Sequence, residues 1–350
     1  MKSKLKKIFF IMSTDDYSGA EAVNFEIIDN LKAYFDFYWV SKKGNINKFL
    51  EERNIKWIEI KKLSVSEIKR IIKENNPNIL HATDYKASVI CSMSNSGIPL
   101  IEHLHNNAPW LTKACINSFA FLYAGIRANK ILTVSESIQK EYIFSKLLKN
   151  KIECVGNPVS RKKVLENVDK KSISKNYDIC CVARIVEQKN PLRFLKIIHS
   201  VKSSIPNIRV VWVGKGEMYD IVKENVKNLN LEKNIDFVGF QKNPYIYMNQ
   251  SKIFVLTSST EGFGLVAFEA LTLGLPCVVS NVGGLPSIVD DDCGKLCNTD
   301  SDFILEIERL LKNKNLLKQK AASAIYKSEK IENTNKYMRN INKIYMEIKK

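Results

Sequence analysis

No stretch of the 350 residues approaches the roughly 18–20 consecutive apolar positions that cross a bilayer as a helix. The start, Met1-Lys2-Ser3-Lys4-Leu5-Lys6-Lys7, mimics a signal peptide, but the apolar run Ile8–Met12 behind it is short and ends in Ser13-Thr14-Asp15-Asp16. A buried first strand is therefore expected, in a cytoplasmic protein that is soluble or peripheral. The eight cysteines include no C-x-x-C, and Ile179-Cys180-Cys181-Val182 and Pro276-Cys277-Val278 set several in apolar runs. They read as reduced, buried small residues; Cys293 and Cys297 have no histidine near them in sequence to complete a metal set. A G-x-x-x-x-G-K-[ST] loop is missing, no G-x-G-x-x-G follows the first strand, and Gly214-x-Gly216 lacks the final glycine. These absences argue against a P-loop enzyme and a dinucleotide-dependent oxidoreductase. RNP1, C2H2-finger and basic-zipper patterns are missing as well, so no nucleic-acid partner is expected.

What is present describes a globular chain with a basic bias. Apolar residues make up 45% and charged residues 26%, and the length suits two domains better than one. The formal charge is +17, and it is not confined to one tail. Residues 1–172 carry 28 Lys+Arg against 18 Asp+Glu, and residues 173–350 carry 26 against 19. Such a field attracts phosphorylated substrates and anionic membrane surfaces. A Lys- and Asn-rich coding bias would produce the same excess with no function attached.

Short apolar runs alternate with helical patterns from end to end. In the first half, 7–13, 37–41, 56–60, 78–82, 99–105, 130–134 and 151–155 read as strands. Amphipathic stretches lie between several of them, such as 20–34, where Val23, Ile27 and Leu31 recur every four residues. Continuous apolar strands suit a parallel sheet covered on both faces. Residues 156–176 change character, with Gly156-Asn157-Pro158 and clustered lysines, and read as an interdomain connection. Strands resume at 177–183, 208–213, 235–239, 252–257 and 276–280. The last 35 or so residues give one long polar helical pattern through Tyr326, Lys330, Tyr337, Ile341, Ile344, Tyr345 and Ile348. The fold class expected is α/β, with two doubly wound Rossmann-like domains.

The densest chemical signal is Ser259-Thr260-Glu261-Gly262-Phe263-Gly264-Leu265-Val266-Ala267-Phe268-Glu269. A strand ends at Thr257, a glycine-bearing loop turns, and a helix starts near Gly264. Exposed amides at a helix N-terminus make an anion site suited to a diphosphate. A carboxylate such as Glu269 is a natural acceptor from vicinal hydroxyls. Val182-Ala183-Arg184-Ile185-Val186-Glu187-Gln188-Lys189-Asn190-Pro191 also follows a strand and precedes a helix. Arg184 and Lys189 are expected to meet there, where doubly wound sheets bind ligands, as a guanidinium fork and a point charge for phosphate oxygens. His103 and His105 fall on one strand face. His81 and His199 read as structural.

Arg184-x4-Lys189-Asn190, Gly214-Lys215-Gly216-Glu217, Ser258–Glu269 and Val282-Gly283-Gly284-Leu285-Pro286 together resemble the family 4 glycosyltransferases of the GT-B fold. The whole second half carries the resemblance. The first half carries it more weakly, through Ser18-Gly19-Ala20-Glu21, His105-Asn106 and Val134-Ser135-Glu136. It implies two domains facing across a cleft: residues 1–172 on the acceptor side, 173–330 for the donor, and 331–350 as a helix packing back toward the first. It implies that Arg184 and Lys189 bind the donor diphosphate and that Glu269 holds the ribose. Glu261 and the amides of Phe263, Gly264 and Leu265 would face sugar and phosphates, and Gly239-Phe240-Gln241 the base. Gly19 would let the backbone approach the donor, and His105 would stand near the reacting sugar. Neither metal nor cofactor is implied. The activity implied is retaining transfer of a hexose-type sugar from a nucleoside diphosphate, most often UDP, to a saccharide or lipid-linked acceptor in bacterial surface polysaccharide synthesis. Ser287 departs from the family's usual Glu, and Ser18-Gly19 from its usual glycine pair. A nucleotide-sugar epimerase or hydrolase on the same architecture is the alternative, and a basic nucleic-acid-binding protein the alternative from another class.

Overall fold

The computed structural model describes residues 5–94, 97–168 and 176–349. Lys170 and Lys171, in the stretch read as an interdomain connection, lie outside them. Two compact units divide the chain: residues up to Pro158 with those from Asn333 onward, and Val159–Glu332.

The first unit is built on a parallel sheet of seven strands: β1 (Lys6–Ile11), β2 (Phe35–Ser41), β3 (Lys56–Glu59), β4 (Ile79–Ala82), β5 (Leu100–Leu104), β6 (Lys130–Thr133) and β7 (Ile152–Cys154). Their order is β3-β2-β1-β4-β5-β6-β7, so the strand order reverses between β1 and β4. The runs are apolar on both faces because helices cover both; Ile8, Phe9, Phe10 and Ile11 are all fully buried.

The second unit repeats the plan with β8 (Tyr177–Val182), β9 (Val210–Val213), β10 (Ile235–Gly239), β11 (Ser251–Leu256), β12 (Cys277–Ser280) and β13 (Gly294–Cys297). The order is β10-β9-β8-β11-β12-β13, again all parallel, with the reversal between β8 and β11. Both segments singled out in the sequence follow those two strands. Trp212, fully buried against Phe194, donates from Nε1 to the Ala183 carbonyl at 2.9 Å and pins the start of the loop after β8.

Two sequence expectations change. The strand β13 was not foreseen, because Gly294-Lys295-Leu296-Cys297 is short, begins with glycine and carries a lysine. It pairs fully with β12 through backbone bonds that composition does not reveal. The long C-terminal helical pattern is two helices, Lys314–Ile331 and Thr334–Glu347, broken at Glu332 and Asn333. They serve different units, so their apolar residues do not share one stripe. Tyr326 is 60% exposed, whereas Tyr337, Ile341 and Tyr345 are buried. Tyr345 packs against Phe35 and Phe37, and Lys6 Nζ donates to the carbonyls of Tyr345 and Met346 at 3.0 and 2.9 Å. All eight cysteines are free thiols; six are buried as expected, but Cys115 is half-buried and Cys154 exposed.

Candidate donor site

The loops after β8 and β11 are tied together at the point where strand order reverses. Ser259 N donates to the Gln188 carbonyl at 2.9 Å, and Gln188 Nε2 to the Thr260 carbonyl at 3.0 Å. Thr257 Oγ1 reaches the carbonyls of Lys189 and Asn190, both at 3.2 Å. These bonds deliver Lys189, on the short 3-10 turn Glu187–Lys189, to Glu261: its ammonium is in direct ion-pair contact with Oε1. Ser258 Oγ donates to the same oxygen at 2.7 Å. Glu261 is only 7% exposed, so the pair offsets the cost of burying a carboxylate. Arg184 stands apart from it, exposed, with no protein partner among the described residues. Lys189, expected beside Arg184 as a cation for phosphate oxygens, is thus also the partner that the buried Glu261 carboxylate takes.

The glycine-bearing loop is shaped by Val282-Gly283-Gly284. Gly283 has φ +56°, and a Cβ there would lie 1.6 Å from the Glu261 carbonyl oxygen, so only glycine admits this approach. Gly284 N then donates to that carbonyl at 3.2 Å. Gly264 takes the left-handed φ of +99° and opens the helix Leu265–Thr272. Phe263, Gly264 and Leu265 therefore present backbone at a helix start, where N–H groups lack intrahelical partners. Ser287 lies on the 3-10 turn after the glycine pair and donates to the Gly284 carbonyl at 2.6 Å, bracing the same loop.

Glu269 lies further down that helix and accepts from the Tyr245 hydroxyl at 3.2 Å. Burial pushes its carboxyl up to about 7, opposed by the Tyr245 bond and the Lys163 charge. Gly239 ends β10 and accepts from Gly214 N at 2.8 Å, while Phe240 beyond it is 50% exposed. Gln241 folds back, donating to the Val238 carbonyl at 2.7 Å.

In the first unit, Gly19 begins the helix Gly19–Leu31 behind Ser18. The residue that fixes this loop is Glu21, buried, which accepts from Ser18 N at 2.9 Å, Ser18 Oγ at 2.5 Å and Thr14 Oγ1 at 2.8 Å. His105 follows β5, its ring 4.1 Å from that of His103, as strand alternation requires. Behind them His103 Nδ1 meets His81 Nε2 at 3.2 Å, and His81 Nδ1 meets the Tyr345 hydroxyl at 2.7 Å. Burial pushes His81 and His105 down to about 3, and burial with the neighbouring imidazoles holds His103 well below the ordinary imidazole range. The row is neutral, and both His105 nitrogens are enclosed without a partner among the described residues. On the other face of β5, Glu102 is fully buried and pushed up to about 8 by desolvation. His199 is an ordinary surface residue beside the Leu229 carbonyl at 3.2 Å.

Sequence reasoning missed Ser258, Tyr245, Gln188 and Tyr345. Ser258 and Gln188 stand inside the two motif segments and had a positional signal; Tyr245 and Tyr345 had none, since only the fold brings them to Glu269 and His81. Two Asp-x-Asp strings occur, and both serve the backbone. Asp290 accepts from Asp292 N and Cys293 N, each at 3.2 Å, and pairs with Lys327 at 2.6 Å; Asp302 caps its own helix at Thr299 N, at 2.8 Å.

The family model described as Glycosyl transferases group 1 matches residues 164–330. An uncharacterized glycosyltransferase of Haemophilus influenzae is 25% identical over 343 residues, 93% of this chain and 96% of its own. The UDP-Gal:alpha-D-GlcNAc-diphosphoundecaprenol alpha-1,3-galactosyltransferase of Escherichia coli is 26% identical over 309 residues, 79% of each chain. Among solved structures, Anabaena HepE in complex with UDP and glucose superposes with a TM-score of 0.85 at 17% identity, covering 98% of this chain and 100% of that one. At that identity the superposition speaks for the fold alone. The second half, residues 164–330, thus matches the group 1 glycosyltransferases, and the two parallel Rossmann-like sheets give the chain a fold of the GT-B type.

Proposed function

We propose that the chain transfers a hexose-type sugar from a UDP-sugar to a saccharide or lipid-linked acceptor, with retention at the anomeric carbon, in bacterial surface polysaccharide synthesis at the cytoplasmic face of the membrane. The observation that carries this is the knot of Lys189, Glu261 and Ser258 beside the helix start at Gly264. It gathers a cation, a sugar-facing carboxylate and free amides at one sheet edge, which is what a departing diphosphate and a bound sugar require. The E. coli relative carries UDP-Gal and a diphosphoundecaprenol acceptor in its name, which supports this donor class and this acceptor class.

In this reading Arg184 and Lys189 hold the diphosphate oxygens, and the Phe263–Leu265 amides share that charge. Glu269 accepts from the ribose hydroxyls, and Gly239 and Phe240 flank the base. Glu261 faces the sugar hydroxyls. His105, neutral and with both ring nitrogens free, serves the acceptor-side unit as a hydrogen-bonding group toward the sugar, and Gly19 gives close backbone approach. The anomeric C–O bond breaks with its electrons passing to the diphosphate. The acceptor oxygen bonds to the anomeric carbon, and its proton passes to the released diphosphate. No metal or cofactor has a part in these steps. NMR of the product from a UDP-α-sugar tests the stereochemistry: an α-linked product supports the reading, and a β-linked product contradicts it.

A further inference from the structure

The helix Ile116–Arg127 wears its apolar residues on the outside. Ser118, Phe121, Ala124 and Gly125 are buried, yet Ile116 is 83% exposed, Phe119 54%, Tyr123 47% and Ile126 58%. These four recur at spacings of three and four, a continuous stripe along one side of the helix. A surface helix ordinarily puts charge there, but this one contains no acidic residue, and Arg127 is its sole charge. The stripe continues on the next layer. Leu148 packs where Gly125 lacks a side chain, and its neighbour Leu147 is 69% exposed. Phe144 meets Phe119 at 4.9 Å.

The surroundings are basic. Residues 111–151 hold seven Lys or Arg against two Glu, and Lys113, Lys146 and Lys149 are exposed at the borders of the stripe. A second copy of the chain is a poor occupant, because a two-fold contact would bring the same lysines of both copies together. An anionic bilayer fits: aromatic and aliphatic side chains enter the acyl boundary while lysines meet the headgroups.

We infer that the helix Ile116–Arg127, with Leu147 beside it, is the face by which this chain docks on an anionic lipid surface. The inference deepens the lipid-linked-acceptor part of the reading above and rests on it for its setting. The full chain is tested by co-sedimentation with phosphatidylglycerol–phosphatidylcholine vesicles and with phosphatidylcholine vesicles alone. Binding should require the anionic lipid and weaken with salt. Phe119→Ser combined with Ile126→Ser should lower partitioning on the order of tenfold. Lys146→Gln with Lys149→Gln should lower it roughly fivefold per charge removed. UDP-induced thermal stabilisation, read in parallel, should be unchanged in every variant. Wild-type failure to bind anionic vesicles, or variants that bind as wild type, would overturn the inference. So would a concentration-dependent dimer that the Phe119→Ser, Ile126→Ser variant abolishes. Loss of UDP stabilisation in the wild type with vesicle binding intact would sink the donor reading and leave the docking face standing.

Discussion

Lys189 carries two duties that a substitution cannot separate. It neutralises Glu261, which is buried, and in the proposed function it is the cation for the donor phosphates. Lys189→Ala is expected to lower turnover by about 100-fold or more, as loss of a preorganised charge does. It should also cost about 3 kcal/mol in stability, because an uncompensated carboxylate stays behind. Lys189→Ala with Glu261→Gln should recover the stability and not the turnover, as melts and initial rates would show. Glu269 makes a second residue-scale case. Its carboxyl titrates near about 7 without ligand, and hydrogen bonds from a diol favour the ionised form. If Glu269 holds the ribose as proposed, donor binding ionises it, so UDP affinity should fall by up to about tenfold per pH unit below its pKa and level off above. Titrations between about pH 6 and about pH 8 check this; Glu269→Gln should lose the dependence and keep only the nucleotide's own ionisation.

At the scale of elements, β4 and β5 hold the histidine row. An unfolded histidine takes up its proton at about 6.5, whereas in the fold His81 and His105 are pushed down to about 3 and His103 well below its ordinary value. As pH falls through the unfolded value, the unfolded chain binds protons that the native chain refuses, so stability drops. Glu102 and Glu269, raised to about 8 and about 7, act oppositely: their contribution is lost as pH rises above the ordinary carboxylate range. Three histidines outweigh two carboxyls, so the melting temperature should fall from about pH 6.5 to about pH 4.5. His103→Asn removes the one-proton excess and should leave the melting temperature nearly flat over that range. Twelve of the thirteen strands among the described residues were legible, because an apolar run with both faces covered is a strong local signal. The exception, β13, owes its strand to pairing with β12. Glu261, Glu269 and Lys189 stood out by motif as a candidate site. That Lys189 pairs with Glu261 was not legible, since burial of a carboxylate is a property of the packed loop.

Across the whole molecule, the same doubly wound plan appears in both units, and in the second the two loops of the candidate site follow the strands where order reverses. Those loops are where open parallel sheets bind their ligands. The chain's +17 charge adds a general attraction for anions but does not choose among them. Choice has to come from the site. The most direct test is therefore thermal stability of the full chain against UDP, GDP, ADP, their sugars and NAD(P). A ligand at about 100 times its dissociation constant adds about 2.7 kcal/mol, enough to move the melt visibly. Stabilisation by UDP and UDP-sugars, abolished in Lys189→Ala with Glu261→Gln, is the result predicted. Stabilisation by NAD(P) alone, or by no nucleotide at all, would contradict it.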